Sequence, residues 1–224
     1  MHLKDFDRSL RPREKALDSG IESLSDSELL ALILRSGVKG QNAVALASGI
    51  LNQTGGLAGL FGMPLNQLME LPGIGLAKGS ELMACLELLK RVNYQKMLMS
   101  DVISSPRELI SWLSSCIGCR DQEYFVAVFL NSRNRVTGFQ RLAQGTGNCV
   151  TVSPSEIYSQ AMKLKAASLI VAHNHPSQQV EPSLADNLTT VQLQKAGEML
   201  SIPLKDHIIV CFNDYFSYHE HQMI

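Results

Sequence analysis

The chain has 224 residues, a formal net charge of −1, 45% hydrophobic residues, sixteen glycines and five cysteines. That is an ordinary globular composition, long enough for one large or two small domains and needing no disulfide staples. The odd cysteine number, the lack of a secretory leader and the lack of any apolar run near the eighteen or so residues of a membrane span point to a reducing cytoplasm and no membrane partner.

In chain order, the pattern over residues 1–92 is helical and predicts a small all-helical domain. Ser36-Gly37-Val38-Lys39-Gly40 reads as a degenerate helical hairpin. Leu71-Pro72-Gly73-Ile74-Gly75-Leu76-Ala77-Lys78 resembles a helix-hairpin-helix. In such a turn Gly73 and Gly75 expose backbone amides at the N-terminus of a helix running from Leu76 to about Arg91, a place suited to a phosphate oxygen, and Lys78 adds one cation. Such hairpins grip the nucleic-acid backbone without reading bases. Against strong binding, residues 1–100 hold eleven Lys and Arg beside ten Asp and Glu, so DNA contact is expected to be weak and salt-sensitive. The other reading of the same turn is a module that packs on itself or docks protein. Gly79 stands where such hairpins usually carry Ala, which loosens the helix.

A polar stretch at 93–104 predicts a linker, and residues 105–224 a second domain. Pro106 opens a helix through Trp112. Cys116-Ile117-Gly118-Cys119 lacks a second cysteine pair or neighbouring histidines and reads as helix-end packing, with redox or metal binding as the alternative. Cys85, Cys149 and Cys211 lie among apolar neighbours and are expected to be buried small hydrophobes. Strands are expected at about 124–131 and 135–142, joined by a turn at Asn131-Ser132-Arg133-Asn134. Ser153-Pro154-Ser155-Glu156 signals a helix to about Lys165, and strands at about 207–212 and 215–219 close the chain.

Between them lies the segment richest in chemistry. Ala167–Ala172 reads as a short buried strand ended by Pro176, so His173 and His175, two apart on extended chain, project to one side. Pro182-Ser183 then opens a helix carrying Leu184, Leu188, Val191 and Leu193, with Asp186 in its first turn. Two imidazoles and a carboxylate suit Zn²⁺, one ion per chain, and three protein ligands leave the fourth tetrahedral position open for catalysis. Read as ordinary residues, His175 and Asp186 would be a loop histidine and a helix cap; ligand count, strand-end placement and spacing together favour the metal.

The spacing of His173, His175, Ser183 and Asp186 resembles the JAMM motif of MPN-type metalloproteases. Arg11-Pro12-Arg13-Glu14-Lys15, Leu24-Ser25-Asp26-Ser27-Glu28-Leu29-Leu30 and Asp206-His207-Ile208-Ile209 are similar to the bacterial RadC family, historically called DNA repair proteins, over roughly nine tenths of the chain. The resemblance implies an α/β fold: a helical helix-hairpin-helix domain followed by an MPN α/β sandwich with a mixed sheet. It implies a zinc hydrolase of amide bonds acting on a peptide or protein conjugate, with Glu123 as general base and Ser183 stabilising the oxyanion. Without it, Glu123 is a charged residue at a strand start and Ser183 an N-cap. The competing expectation is a DNA-binding accessory protein whose metal site is structural or vestigial. The family's loop continues with Gly where this chain has Gln178, so the loop over the metal is expected to differ. His207 is read as a satisfied strand histidine outside the ligand set, Glu181 as a solvated carboxylate, and His2, His219 and His221 as solvated.

Overall fold

The computed structural model describes residues 11–104, 106–144 and 152–224; Cys149, His2 and Gly145-Thr146 lie outside them. The chain forms two compact units, Met1–Leu88 and Leu89–Ile224.

The first unit is helical. α1 (Pro12–Ser19) is followed by α2 (Asp26–Leu34), which starts at a reciprocal cap: the Ser25 hydroxyl accepts from Glu28 N–H, and Ser25 N–H donates to the Glu28 carboxylate at 2.8 Å. α3 (Ala43–Thr54) starts on Asn42, which accepts from Ala45 N–H, and ends on left-handed Gly55. Short helices α4 (Leu57–Gly62) and α5 (Leu65–Leu68) lead to the Leu71–Gly75 turn and α6 (Leu76–Met99). Leu30, Leu34, Leu46, Ile50, Leu60 and Leu82 fill the core. In the turn, Leu71 and Ile74 point inward, while Pro72, Gly73 and Gly75 are exposed and Gly73 takes a φ of +76°. Gly79 has a packing reason: a Cβ there would come within 2.8 Å of Leu65 Cδ1, so the glycine admits α5 against α6.

Two sequence expectations are corrected here. The segment read as a linker at 93–104 is helical through Met99, because its apolar residues pack within the second unit. Met97 is fully buried, and the Tyr94 ring lies 5.8 Å from that of Trp112. Cys85, expected to be buried, is exposed, since the outward face of α6 carries it.

The second unit is an α/β sandwich on a five-stranded mixed sheet of order β2-β1-β3-β4-β5. Its strands are β1 (Tyr124–Leu130), β2 (Val136–Gln144), β3 (Ser168–Asn174), β4 (Leu204–Val210) and β5 (Tyr215–Ser217). Only β3 and β4 run parallel; the other pairs are antiparallel. Pleating sends Val126, Val128, Ile170, Ala172 and Ile208 to one face, where α7 (Arg107–Leu113) and a following π turn at Ser114–Gly118 cover them. Phe125, Ala127, Phe129, Leu169 and Val171 face the opposite side with α8 (Pro154–Lys163) and α9 (Leu184–Leu200). The apolar run expected to mark α9 divides: Leu193 is buried beside Thr190 and Gly197, whereas Leu184, Leu188 and Val191 are exposed.

Cys116 sits in the π turn and Cys119 directly after it, both half-buried. Burial raises the Cys116 thiol and pushes Cys119 up to about 11, the opposite of a reactive thiolate. Cys211 is buried, its thiol donating to Asp214 O at 3.3 Å.

Candidate metal centre

β3 is the central strand and every residue in it is buried. It carries His173 to its C-terminal end, where the ring lies parallel to that of Phe125 at 5.9 Å. His175 follows one residue beyond the strand, half-buried, and its Nδ1 lies 2.9 Å from Gln179 O. A carbonyl only accepts, so Nδ1 holds the proton and donates it. That directs Nε2 at the neighbouring ring, with His173 Nε2 and His175 Nε2 3.0 Å apart.

The third group comes from α9. Ser183 is its N-cap and Asp186 its third residue, in a reciprocal capping box. Ser183 N–H and Oγ–H donate to Asp186 Oδ2 at 2.8 and 2.6 Å, and Asp186 N–H donates to Ser183 Oγ. The cap therefore aims the carboxylate as well as starting the helix. Asp186 Oδ1 stands 3.1 Å from His173 Nε2, and Oδ2 3.5 Å from His175 Nε2. Among the described residues these three are the group of His, Cys, Asp and Glu side chains that could hold a metal ion.

The fit to zinc follows from the spacing. Tetrahedral ligands about 2.0–2.2 Å from zinc stand roughly 3.3–3.5 Å from one another. The separations lie within a few tenths of an ångström of that range when Asp186 faces His173 with Oδ1 and His175 with Oδ2. One ligand atom from each residue lies within 4.8 Å of the others, and two imidazoles with a carboxylate are a donor set zinc takes.

Charge at the site is organised by the same contacts. Burial pushes the Asp186 carboxyl up, but the hydrogen bonds from His173, His175 and Ser183 outweigh it and hold Asp186 far below the usual carboxylate range. His175 is raised, first by its bond to Asp186, against the opposing effect of burial. Glu123 precedes β1 by one residue, and Phe125, two residues on, pairs with His173 across the sheet. Burial raises the Glu123 carboxyl, His173 and His175 pull it down, and the Asp186 charge pushes it up. Glu123 thus feels all three members of the group.

Two residues hold this geometry: Asn174, to which the sequence assigns no role, and His207, read there as a satisfied strand histidine outside the ligand set. Asn174, between the histidines and fully buried, accepts from Tyr124 N–H at 2.8 Å and donates to Gln122 O at 3.0 Å and Arg120 O at 3.3 Å. Its amide clamps the backbone on both sides of Glu123, tying the carboxylate to the metal strand. His207, on β4, is also fully buried, with Nε2 2.9 Å from His173 Nδ1. Burial holds its ring well below the ordinary imidazole pKa.

Gln178 has a backbone φ of +61°, which explains why a glycine is expected there. Its side chain compensates: Nε2 donates to Gly118 O at 3.0 Å, and Oε1 accepts from Phe212 N–H at 3.2 Å. Gln178→Ala keeps the strained φ and loses both bonds, and should cost about 1–3 kcal/mol. Gln178→Gly relieves the strain, worth about 1 kcal/mol, and should cost less. Urea unfolding of the three proteins reads the order; an alanine variant as stable as the glycine variant would show that the φ carries no strain. Glu181 is exposed, as expected for a solvated carboxylate.

The hairpin residues belong to the first unit. Gly75 is exposed at the start of α6, and Lys78 Nζ donates to Ser36 O at 2.7 Å. Part of its donor capacity therefore ties α6 to the end of α2.

Residues 103–223 match the RadC-like JAB domain and residues 3–80 the UPF0758 N-terminal domain. UPF0758 proteins of Chromobacterium violaceum and Pseudomonas fluorescens are 43% and 41% identical to this chain, the first over 94% of both chains and the second over 99% of both. One from Rubrobacter xylanophilus is 39% identical over 99% of this chain and 97% of its own. With the mixed sheet, the two-histidine strand end and the capped aspartate in place, the chain belongs to the RadC family, carrying a RadC-like JAB domain behind a UPF0758 N-terminal domain.

Proposed function

We propose that the second unit is a zinc-dependent hydrolase of amide bonds in a peptide or protein conjugate. The observation that carries this reading is the convergence of His173, His175 and Asp186 beside a raised carboxylate, Glu123. A zinc ion held by these three supplies Lewis acidity and makes water available as a nucleophile at neutral pH.

The chain's own residues do the rest. Glu123 takes a proton from the attacking water and returns it to the leaving nitrogen as the C–N bond breaks, which suits a carboxylate raised toward neutrality. Ser183 gives up its Oγ–H bond to Asp186 Oδ2 and turns that hydroxyl to the developing oxyanion, while its N–H still holds the carboxylate. Zinc-loaded protein offered a peptide library and isopeptide-linked protein conjugates should cleave a subset, and Glu123→Gln should cleave the same subset about 10²- to 10⁴-fold more slowly. Proteins that bind zinc yet leave every substrate intact would defeat the reading.

A second reading, weak sequence-independent contact with a nucleic-acid backbone through Gly73, Gly75 and Lys78, rests on the exposure of Gly73 and Gly75 in the turn that leads into α6. Gly75→Asp tests it cleanly, because a Cβ at Gly75 meets nothing within 4 Å. The added carboxylate should abolish single-stranded DNA binding at low salt while leaving zinc content unchanged. Binding indifferent to the substitution removes the turn's role.

A further inference from the structure

His173 uses one ring nitrogen toward His175 and Asp186, and the state of the other decides whether that nitrogen is bare or protonated. The other, Nδ1, meets His207 Nε2 at 2.9 Å. On its far side His207 Nδ1 lies 2.7 Å from Thr190 Oγ1, and Thr190 Oγ1 lies 2.7 Å from Asp186 O. His207 and Thr190 are both buried, and none of these bonds is open to solvent exchange of partners.

The directions of the three bonds follow from one fact. Asp186 O is a carbonyl and only accepts, so the single Thr190 hydroxyl proton is committed to it. Thr190 Oγ1 must then accept from His207, which places the His207 proton on Nδ1. A neutral His207 ring has no second proton, so its Nε2 accepts, and the donor is His173 Nδ1–H. His173 consequently keeps its proton on Nδ1, which leaves Nε2 as the nitrogen that can take an ion. The Tyr218 ring stacks on His207 at 4.9 Å and 10°, and its hydroxyl donates to Asn187 Oδ1, which holds the imidazole plane.

We propose that His207 and Thr190 are positioning residues that set the tautomer of His173. The relay starts behind one metal ligand and ends on the backbone of another, since Thr190 sits one helical turn after Asp186. Loss of the Thr190 hydroxyl removes the acceptor from His207 Nδ1. A buried unpaired N–H is costly, so the ring moves its proton to Nε2, where it donates to His173 Nδ1. His173 then carries its own proton on Nε2, and an incoming ion must displace it. Such outer partners typically set metal affinity by about 10- to 100-fold.

The inference rests on the zinc reading, and its test separates the two. Histidine nitrogen NMR of the metal-free wild type should show His207 protonated on Nδ1 and bare on Nε2, with His173 protonated on Nδ1. Zinc titration at a temperature where all three proteins are fully folded should then show Thr190→Val weaker than wild type by about 10- to 100-fold, with the hydroxyl-retaining Thr190→Ser near wild type. In Thr190→Val the His207 proton should appear on Nε2. A wild-type His207 protonated on Nε2, or a valine variant that binds zinc as tightly as wild type, overturns the relay. A wild type that takes up no zinc defeats the metal reading alone, and the metal-free tautomers still decide the relay.

Discussion

Purified wild-type protein will carry one zinc per chain, and Asp186→Ala and His173→Ala will each lose it. The free energy of holding a zinc through a full ligand set is about 10–16 kcal/mol, so one ligand is worth on the order of 3 kcal/mol, or roughly 100-fold in affinity. Asp186→Ala carries a second cost, because the carboxylate also accepts from Ser183 N–H and Oγ–H. Removing that half of the capping box should lower stability by about 1 kcal/mol. Asp186→Asn separates the effects: the amide oxygen still caps the helix, while the charge that binds the ion is gone. Elemental analysis beside urea unfolding reads both. Retention of a full zinc equivalent in Asp186→Ala would remove this residue from the ligand set.

The pH dependence of zinc uptake should come from His175 and not from Asp186. Despite burial, Asp186 is held far below the usual carboxylate range by its hydrogen-bond partners. His175 is raised, chiefly by its bond to Asp186, so its protonated form persists to higher pH than in a free imidazole. Zinc must displace that proton, and affinity falls as pH drops through a value above about 6.5.

What the sequence revealed of the site was its local part. His173 and His175 are two apart on one strand, and Ser183 and Asp186 are three apart at a helix start, so periodicity and capping chemistry expose them. The partners behind them are long-range. His207 reaches His173 because β4 pairs with β3 in parallel, with Val171 opposite His207, a contact 34 residues apart in sequence. Asn174 clamps residues about 50 positions away, and its sequence neighbourhood gives no sign of it. The same limit explains the misread linker. Tyr94 and Met97 sit in a polar-looking stretch, and only the packing of the second unit shows that both contribute to its core. Cys85 errs in the other direction, an apolar neighbourhood on a helix face that points outward. Gln178 was legible only as a departure; the positive φ and the two side-chain bonds that offset it belong to the folded loop.

Glu123→Gln will retain zinc and lose turnover by about 10²- to 10⁴-fold, the usual worth of a general base. The amide matches the carboxylate in shape and cannot take a proton. None of the bonds that anchor this segment is made by the Glu123 side chain: Asn174 holds the backbone at Gln122 and Tyr124. The substitution therefore removes proton transfer without moving the strand. The acid side of the wild-type profile should carry the same signature. Burial raises the Glu123 carboxyl, so its basic form is lost as pH falls through a value above the ordinary glutamate value of about 4.3. Zinc must be kept saturating, because His175 protonation lowers metal occupancy over part of the same range. At constant occupancy, kcat of the wild type should fall with acid while the residual rate of Glu123→Gln stays flat. A variant that loses zinc together with activity makes Glu123 a support of the metal centre. A variant that keeps both makes it a bystander, and the proton acceptor must then be sought among the other groups facing His173 and Asp186.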